Sequence, residues 1–389
     1  MKNNKKTVLA VTGIRSEFDI LYPVINSLNK NNFDVKVVVC GAHLSDWHGN
    51  TYKSIEDEDF EIVDRIDYLL MTNRKTQRSK GLGVLIAGLT QTVERIDPDF
   101  IIYVGDREEA MASSIVANYM DILSVHIGGG DPVYGNADDP VRFACSELSH
   151  IHFTTSQSYA DNLVALGEEP RRIIFSGNPA LKNIRDTRVI GKPQISEYLG
   201  MNLKDYIVVL KHPLSSAKED AYEQMKVTLE TVSRFSKDNN MQVIGIYPNT
   251  DPGSYDILNA IDEVEKNEDF KFFKTLPRDI FINLMRNAKA LVGNSSMGIL
   301  EAPFYKLPVI NIGDRQKGRL NAGNVDFVDY DGENIYASLQ RAIFDESYKN
   351  DVKNLVNPYG DGDADLKIVE FLNRVDLDDK DWLIKKKIF

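Results

Sequence analysis

The sequence predicts an α/β protein of two parallel-sheet, Rossmann-like domains. Three observations carry this prediction. Short apolar runs rich in β-branched residues alternate with longer amphipathic stretches. The alternation runs through one series and then restarts in a second, and most apolar runs end in a polar or glycine-containing segment. Runs that are apolar throughout belong to strands buried on both faces, as in a parallel sheet covered by helices. At 389 residues the chain exceeds what one core ordinarily holds, so two domains of similar size are expected.

The first series reads TVLAVTG, LYPVINSLNK, DVKVVVCGAHL, DFIIYVGD, EEAMASSIVANYM, ILSVHIGGG, HIHFTTS and RIIFSGNPA. The second reads YIVVLKHP, a helix over 217–239, QVIGIYPN, a helix over 255–266, KFFKTL, IFINLMRNA, KALVGNSS and LPVINIG. Gly177 to Pro179 interrupt the pattern between them, which places a first domain at 1–178 and a second at 179–363. Within 364–389, ADLKIVEFLNRV has helical periodicity and is able to return to the first domain, whereas DLDDKDWLIKKKIF has no clear period. Arg74, Lys75, Arg78 and Lys80 read as a solvated loop.

Composition narrows the function. With 42% hydrophobic and 27% charged residues the chain is globular in character, and no run is long enough to span a bilayer. The start MKNNKKTVLAVTG leads into a glycine turn rather than a cleavage site, so it reads as a first strand. Two separated cysteines, Cys40 and Cys145, offer neither a disulfide framework nor a metal site, and a reducing, cytoplasmic setting is expected. A formal net charge of -12 argues against nucleic acid as the main partner. Small phosphates stay open, because arginines and helix N-termini bind them locally.

Ligands of open α/β sheets bind beyond the carboxyl ends of the strands, so the segments after each apolar run carry the chemistry. TGIRSEFD puts Arg15 at the mouth of the first helix, where an anion is favoured, although a plain capped turn looks the same. It is not a GxGxxG fingerprint, and no dinucleotide cofactor is expected. GDREE places Asp106 and Arg107 at a strand end, for proton transfer and phosphate contact respectively; an aspartate there also serves as a helix cap. The run VHIGGGDPVYGNADDPVR gathers Asp131, Asp138 and Asp139 beside three glycines, suiting acid–base work, with no pattern of metal ligands. Packing roles are expected for His126, His150 and His152.

In the second half His212 follows a strand in VVLKHP, where a proton donor to a phosphate would stand. Asn249 and Ser254 in YPNTDPGS either bind ligand or form a turn. The strongest single segment is GNSSMGILEAP: Ser295 and Ser296 at a helix N-terminus suit a diphosphate, and Glu301, further along the same helix, suits ribose hydroxyls. NIGDRQKGR adds Arg315 and Arg319.

In this order TGIRSEFD, GAHLSDWHGNTY, GDREE, HIGGGD to DDPVR, KHP, YPNTDPGS, GNSSMGILEAP and NIGDRQKGR resemble the hydrolysing UDP-N-acetylglucosamine 2-epimerases over nearly the whole chain. The resemblance implies GT-B architecture with a UDP-sugar in the cleft between the domains and no cofactor. It also implies a cytoplasmic homodimer or higher homo-oligomer that supplies sialic or legionaminic acid-type glycans. It carries over Arg15, Arg107, Ser295, Ser296, Glu301 and Arg319 as UDP or phosphate ligands, His212 beside the diphosphate, Asp106 and Asp138 as carboxylates near the sugar, and His43 in support; Asn249 and Gly298 are expected beside the UDP ligands, and Asp131 joins Asp106 and Asp138 as candidate acid and base. The family shows a glutamate two residues after the loop histidine, or one after the paired glycines; here Gly128 and Asp131 stand in those places, and Phe143 replaces a histidine. A related donor such as a UDP-2,4-diacetamido sugar, or a shift of proton transfer toward Asp131, would accommodate the change.

The implied reaction is elimination of UDP across C1 and C2, followed by hydration of the glycal from the other face at C2. The alternatives are a non-hydrolysing epimerase, whose GTRPE start and HVEAG loop are absent, a GT-B glycosyltransferase, and a UDP-sugar-binding protein without catalysis.

Overall fold

A computed structural model describes residues 5–58, 60–70, 76–132, 138–214, 220–249, 253–264 and 269–386. Seven parallel strands form the first sheet: β1 (Lys6–Thr12), β2 (Phe33–Cys40), β3 (Glu61–Ile66), β4 (Phe100–Val104), β5 (Leu123–Ile127), β6 (Ile151–Thr154) and β7 (Ile173–Phe175). Their order is β3-β2-β1-β4-β5-β6-β7. The second sheet has six, β8 (Tyr206–Leu210), β9 (Gln242–Ile246), β10 (Phe270–Phe273), β11 (Ala290–Gly293), β12 (Val309–Ile312) and β13 (Val325–Val328), in the order β10-β9-β8-β11-β12-β13. All pairings are parallel.

The apolar runs explain the burial. Val8, Leu9, Ala10 and Val11 of β1 are all buried, with Val8 and Ala10 in the core on one face of the sheet and Leu9 and Val11 in the core on the other. The second sheet repeats this, Ile207 and Val209 going to one core and Val208 and Leu210 to the other. In each sheet the chain starts at an inner strand, builds outward in one direction, then returns to build the other way. The two directions part between β1 and β4, and again between β8 and β11. Such a parting leaves a crevice beyond the strand ends, where ligands of this fold bind.

The first compact unit takes the described residues as far as Arg185 and again from Tyr359; the second runs from Asp186 to Pro358. The divide thus falls seven residues beyond the Gly177–Pro179 interruption. The helix Ala180–Asp186 is tied to the first unit by Asn183 Nδ2 donating to Asp19 O at 2.6 Å and by Lys182 pairing with Asp365 at 3.2 Å. The C-terminal helix Ala364–Arg374 places Ile368, Val369 and Leu372 in the first core. Lys6 caps its C-terminal end, Nζ reaching the carbonyls of Leu372, Asn373 and Val375 at 2.9, 3.1 and 2.6 Å.

Arg74 and Lys75 lie outside the described residues, but Arg78 and Lys80 do not sit in a loop. They belong to the helix Thr76–Ile96, and Arg78 pairs with the buried carboxylate of Glu108.

Leu372 is fully buried although its segment ends the sequence pattern. Leu372→Ala is expected to cost about 2–5 kcal/mol. Denaturant titration should show the loss as an earlier unfolding transition.

Candidate functional site

At the head of the first unit the residues after β1, β4 and β5 converge. Arg15 opens the helix Arg15–Lys30 and pairs loosely with Asp19 at 3.7 Å, leaving about a third of its side chain exposed. His43, after β2, is buried between two threonines, with Thr12 Oγ1 at 3.1 Å and Thr51 Oγ1 at 2.7 Å. Burial pushes its pKa down to about 4. His43 is thus a neutral brace that holds the end of β1 to the segment after β2.

Two expected carboxylates meet on one guanidinium. Arg142, from the helix Asp138–Leu148, donates from Nε to Asp106 Oδ2 at 2.9 Å and from a terminal nitrogen to the same oxygen. Its other terminal nitrogen reaches Asp131 Oδ2 at 2.8 Å and Asp131 O at 3.1 Å. Burial opposes the charge on Arg142, but the two aspartates outweigh it and hold its pKa above the ordinary value. The sequence reading passed over Arg142, although DDPVR contains it. Asp138 is the first residue of the same helix; its side chain lies outside the described residues.

The three glycines of HIGGGD shape the loop. Gly130 has φ +75°, and a Cβ there would fall 2.3 Å from Tyr159 O, so no other residue fits. His126 Nε2 donates to Gly105 O at 2.7 Å, linking the ends of β4 and β5, and burial pushes its pKa down to about 3. His150 sits 2.8 Å from Ser124 Oγ and His152 3.3 Å from Glu168.

Beside this group lie two buried glutamates that the sequence reading also passed over. Glu17 Oε2 accepts from Gly13 N–H at 3.0 Å, and Glu109 Oε1 accepts from Tyr68 OH at 2.5 Å. The other oxygen of each faces Arg107 Nε, at 4.0 Å from Glu17 and 3.9 Å from Glu109. Burial raises both carboxyl pKa values, most strongly for Glu17, and each glutamate's surroundings include further acidic groups. Gly13 leaves the space that the Glu109 carboxyl fills, since a Cβ would fall 1.4 Å from Glu109 Oε1 and displace that side chain.

In the second unit the ends of β8 and β11 are stitched together. His212 N–H donates to Asn294 Oδ1 at 2.7 Å, and Asn294 Nδ2 donates back to His212 O at 2.9 Å. Asn249 contributes its backbone, its N–H donating to His212 Nδ1 at 3.0 Å. That bond leaves the ring proton on Nε2. Burial first, then Arg315 and Lys211, push the His212 pKa down to about 3. His212 is therefore a neutral hydrogen-bond donor at physiological pH rather than a standing imidazolium.

Arg315 donates to Asn294 O at 3.1 Å, and Arg319, buried, donates to Gln316 Oε1 at 2.8 Å, bracing the turn Asp314–Gln316. Lys211, unremarked in the sequence, is 1% exposed, and burial followed by Arg315 pushes its pKa down to about 7. Its ammonium lies 5.1 Å from the centre of the Tyr330 ring and 3.5 Å from Gln224 Oε1.

The serine segment differs from expectation in one respect. Ser295 and Ser296 are half-buried ahead of a helix that runs only Met297–Leu300, and a second helix follows at Ala302–Tyr305. Glu301 stands at the break with φ -115°, not within one helix. Pro303 explains the break, since it has no N–H to donate and its ring collides with a carbonyl of the preceding turn. Gly298 serves packing: a Cβ would meet Val309 Cγ1 at 2.9 Å, and its carbonyl accepts from Asn324 at 3.2 Å. Gly293, with φ +145°, lies so close to Leu210 O that a Cβ would fall 2.0 Å from it.

Among the described residues no group of three or more His, Cys, Asp or Glu side chains is arranged to hold a metal ion, and no helix is long and apolar enough to cross a membrane.

Two parallel sheets, each with polar groups at its switch point, define an α/β protein of the doubly wound class, whose ligands bind beyond the strand ends. The sequence pattern of the family described as UDP-N-acetylglucosamine 2-epimerase matches residues 26–373, and the chain belongs to that family. It is 33% identical over 327 residues to the GDP/UDP-N,N'-diacetylbacillosamine 2-epimerase (hydrolyzing) of Campylobacter jejuni, covering 83% of this chain and 84% of that one. With the UDP-N,N'-diacetylbacillosamine 2-epimerase (hydrolyzing) of Legionella pneumophila it shares 29% identity over 374 residues, 96% and 97% of the two chains. The solved UDP-GlcNAc 2-epimerase of Neisseria meningitidis bound to UDP-GlcNAc has the same fold, with a TM-score of 0.80, 22% identity and coverage of 95% and 100%.

Two outcomes follow from this geometry. Arg142→Met strands Asp106 and Asp131 together without their cation and should cost about 3–5 kcal/mol. Asp106→Asn in the same chain should recover part of that loss in thermal unfolding, since one buried charge is then gone.

The six histidines all have lowered pKa values. Each takes up a proton in the unfolded chain before it does so in the fold, so the unfolded state binds more protons as pH falls below about 6.5. Glu17 and Glu109 act with the opposite sign and offset part of this. The thermal midpoint should hold near neutral pH and drop between about pH 6.5 and 4. His43→Asn should make the drop shallower.

Proposed function

We propose that the chain is a hydrolysing 2-epimerase acting on a UDP-2-acetamido sugar, releasing UDP and the free manno-configured sugar. The observation that carries this reading is the meeting of Asp106 and Asp131 on Arg142 at the strand ends, in a chain whose family is epimerase. Arg142 holds the two carboxylates in fixed positions, so that a reacting proton meets defined geometry.

A carboxylate, Asp106, Asp131 or Asp138, removes the proton from C2 as the C1–O bond to UDP breaks and a C1=C2 double bond forms. Water then adds its oxygen to C1, and a proton returns to C2 from the opposite face. The departing diphosphate gains negative charge, which suits the donors of the second unit: His212 Nε2–H, the Ser295 and Ser296 segment, and the Arg315 guanidinium. Glu301, at the helix break, suits the ribose hydroxyls. Arg15 and Arg107 are the first unit's cations toward the anionic substrate. Gly298 and Arg319 support this set by packing and bracing, and His43 supports the end of β1.

The donor favoured is UDP-2,4-diacetamido-2,4,6-trideoxyglucose, because the two relatives described above are named for diacetylbacillosamine. UDP-N-acetylglucosamine is the second candidate and would yield N-acetylmannosamine. Either product suits a cytoplasmic route to sialic or legionaminic acid-type surface glycans, with the enzyme working as a homo-oligomer.

Incubation with each donor should release UDP and a free 2-acetamido sugar, with solvent deuterium at C2 and solvent oxygen at C1. A UDP-sugar product without free UDP would sink the hydrolysing assignment. Asp106→Asn should lower kcat by about 10²–10⁴-fold while UDP affinity stays close to wild type. His212→Ala should weaken UDP binding by about tenfold or more, as expected for a lost hydrogen bond to a charged group; isothermal titration with UDP reads this directly.

A further inference from the structure

Glu17 and Glu109 are unused by the reaction above, yet both are nearly inaccessible and both stand at the β1–β4 switch point. Glu17 follows β1 and Glu109 follows β4, so neighbouring strands bring them together. One oxygen of each takes a neutral donor, Gly13 N–H or Tyr68 OH. The remaining oxygens, Glu17 Oε1 and Glu109 Oε2, have no hydrogen-bond partner among the described residues and share the side of Arg107 Nε.

The groups around the pair settle its charge. Glu108 pairs with Arg78 and is held charged by Arg107 as well, which adds to the negative charge near the pair, while Asp106 pairs with Arg142. Cys40 and Tyr68, from the neighbouring segments, are both pushed toward their neutral forms by burial and by the nearby glutamates. His48 is lowered, by burial and then by Arg107, and brings no charge at neutral pH. Among the described residues these two buried carboxylates therefore share the Arg107 guanidinium, and a second uncompensated charge there is costly.

We propose that Glu17 and Glu109 act as one buried acid, carrying a single proton and a single negative charge between them, and that this charge positions Arg107 toward the anionic substrate. The two are positioning residues, acting through Arg107. The substrate half of this statement rests on the epimerase reading; the charge half does not. The proton resides on either carboxyl, as in other pairs of like acids that cannot both ionise.

A glutamine series tests it, because glutamine copies a protonated carboxyl. Glu17→Gln and Glu109→Gln should each leave kcat/KM within about threefold of wild type, since the remaining carboxylate keeps the single charge. The double variant should lose about tenfold or more, mainly through KM, and should cost nothing further when combined with Arg107→Met. A single variant that falls as far as the double overturns the shared proton. A double variant equal to wild type overturns the positioning role.

Infrared spectra read the charge without turnover and without the double variant. At about pH 7 the wild-type chain should show one protonated carboxyl band that is lost in either single variant. Persistence of that band in both single variants, or its absence from wild type, overturns the proposal. If no donor releases UDP, the epimerase reading fails while the infrared result still decides the dyad.

Discussion

Each sheet parts in the middle, and the site depends on that parting. β1 and β4 in the first sheet, and β8 and β11 in the second, are neighbours whose following segments lead to opposite directions of growth. Polar groups carried just past these strand ends stand where the segments after the strands diverge, above apolar strands. Their chemistry is then set by what the crevice lacks. Many of its groups are buried from solvent, so a charge there must find a partner or be given up. The first unit's crevice answers with carboxylates grouped around guanidiniums: Asp106 and Asp131 on Arg142, Glu17 and Glu109 on Arg107. The second answers with neutral donors, His212 and Asn294, and with Arg315 and the buried Lys211 nearby. A chain of net charge -12 thus holds an anion-seeking region, because net charge is a property of the whole surface and the crevice is local.

The same burial drives similar groups apart. His212 and His126 are pushed down to about 3 and remain neutral donors, while Glu17 and Glu109 are pushed up. Arg142 is held in its charged form by its two aspartates. Acid–base chemistry at one carbon needs groups of differing proton affinity, and an environment that separates like residues supplies them. Lys211 extends the argument to the second unit. An amine pushed down to about 7 beside Arg315 would regain its charge as an anion approached.

Much of this was legible in the sequence because the apolar runs are uniform. β4, β5 and β8 are buried throughout and β1 from Val8 onward, and their runs announce both the strand and the position of the residues that follow it. Asp106, Asp131 and His212 were placed on that basis. Residues that work through distant partners were not legible. Nothing local in the sequence singles out Glu17 and Glu109 at two helix starts, and only the pairing of β1 with β4 brings them to one arginine. Arg142 reads as one turn further along a helix, with nothing local to say that it spans Asp106 and Asp131. Glu301 was placed in a continuous helix because the segment is apolar and periodic; Pro303 overrules that periodicity.

The tail shows how support for the site can come from the far end of the chain. DLDDKDWLIKKKIF has no clear period, and its described residues form only the short helix Lys380–Trp382, yet fully buried Arg172 grips it through the carbonyls of Asp381, Trp382 and Ile384 at 2.7, 2.7 and 2.8 Å. That grip delivers Lys385 to the end of the helix Asp138–Leu148, where its ammonium meets the carbonyls of Ser146, Glu147 and Ser149 at 3.1, 2.8 and 2.6 Å and the Glu168 carboxylate at 2.5 Å. A cation at a helix C-terminus satisfies its unpaired carbonyls and opposes its dipole. The helix so capped is the one that carries Arg142, and Arg142 in turn fixes Asp106 and Asp131. A segment without a pattern of its own is therefore linked, through one lysine and one helix, to the carboxylates at the strand ends.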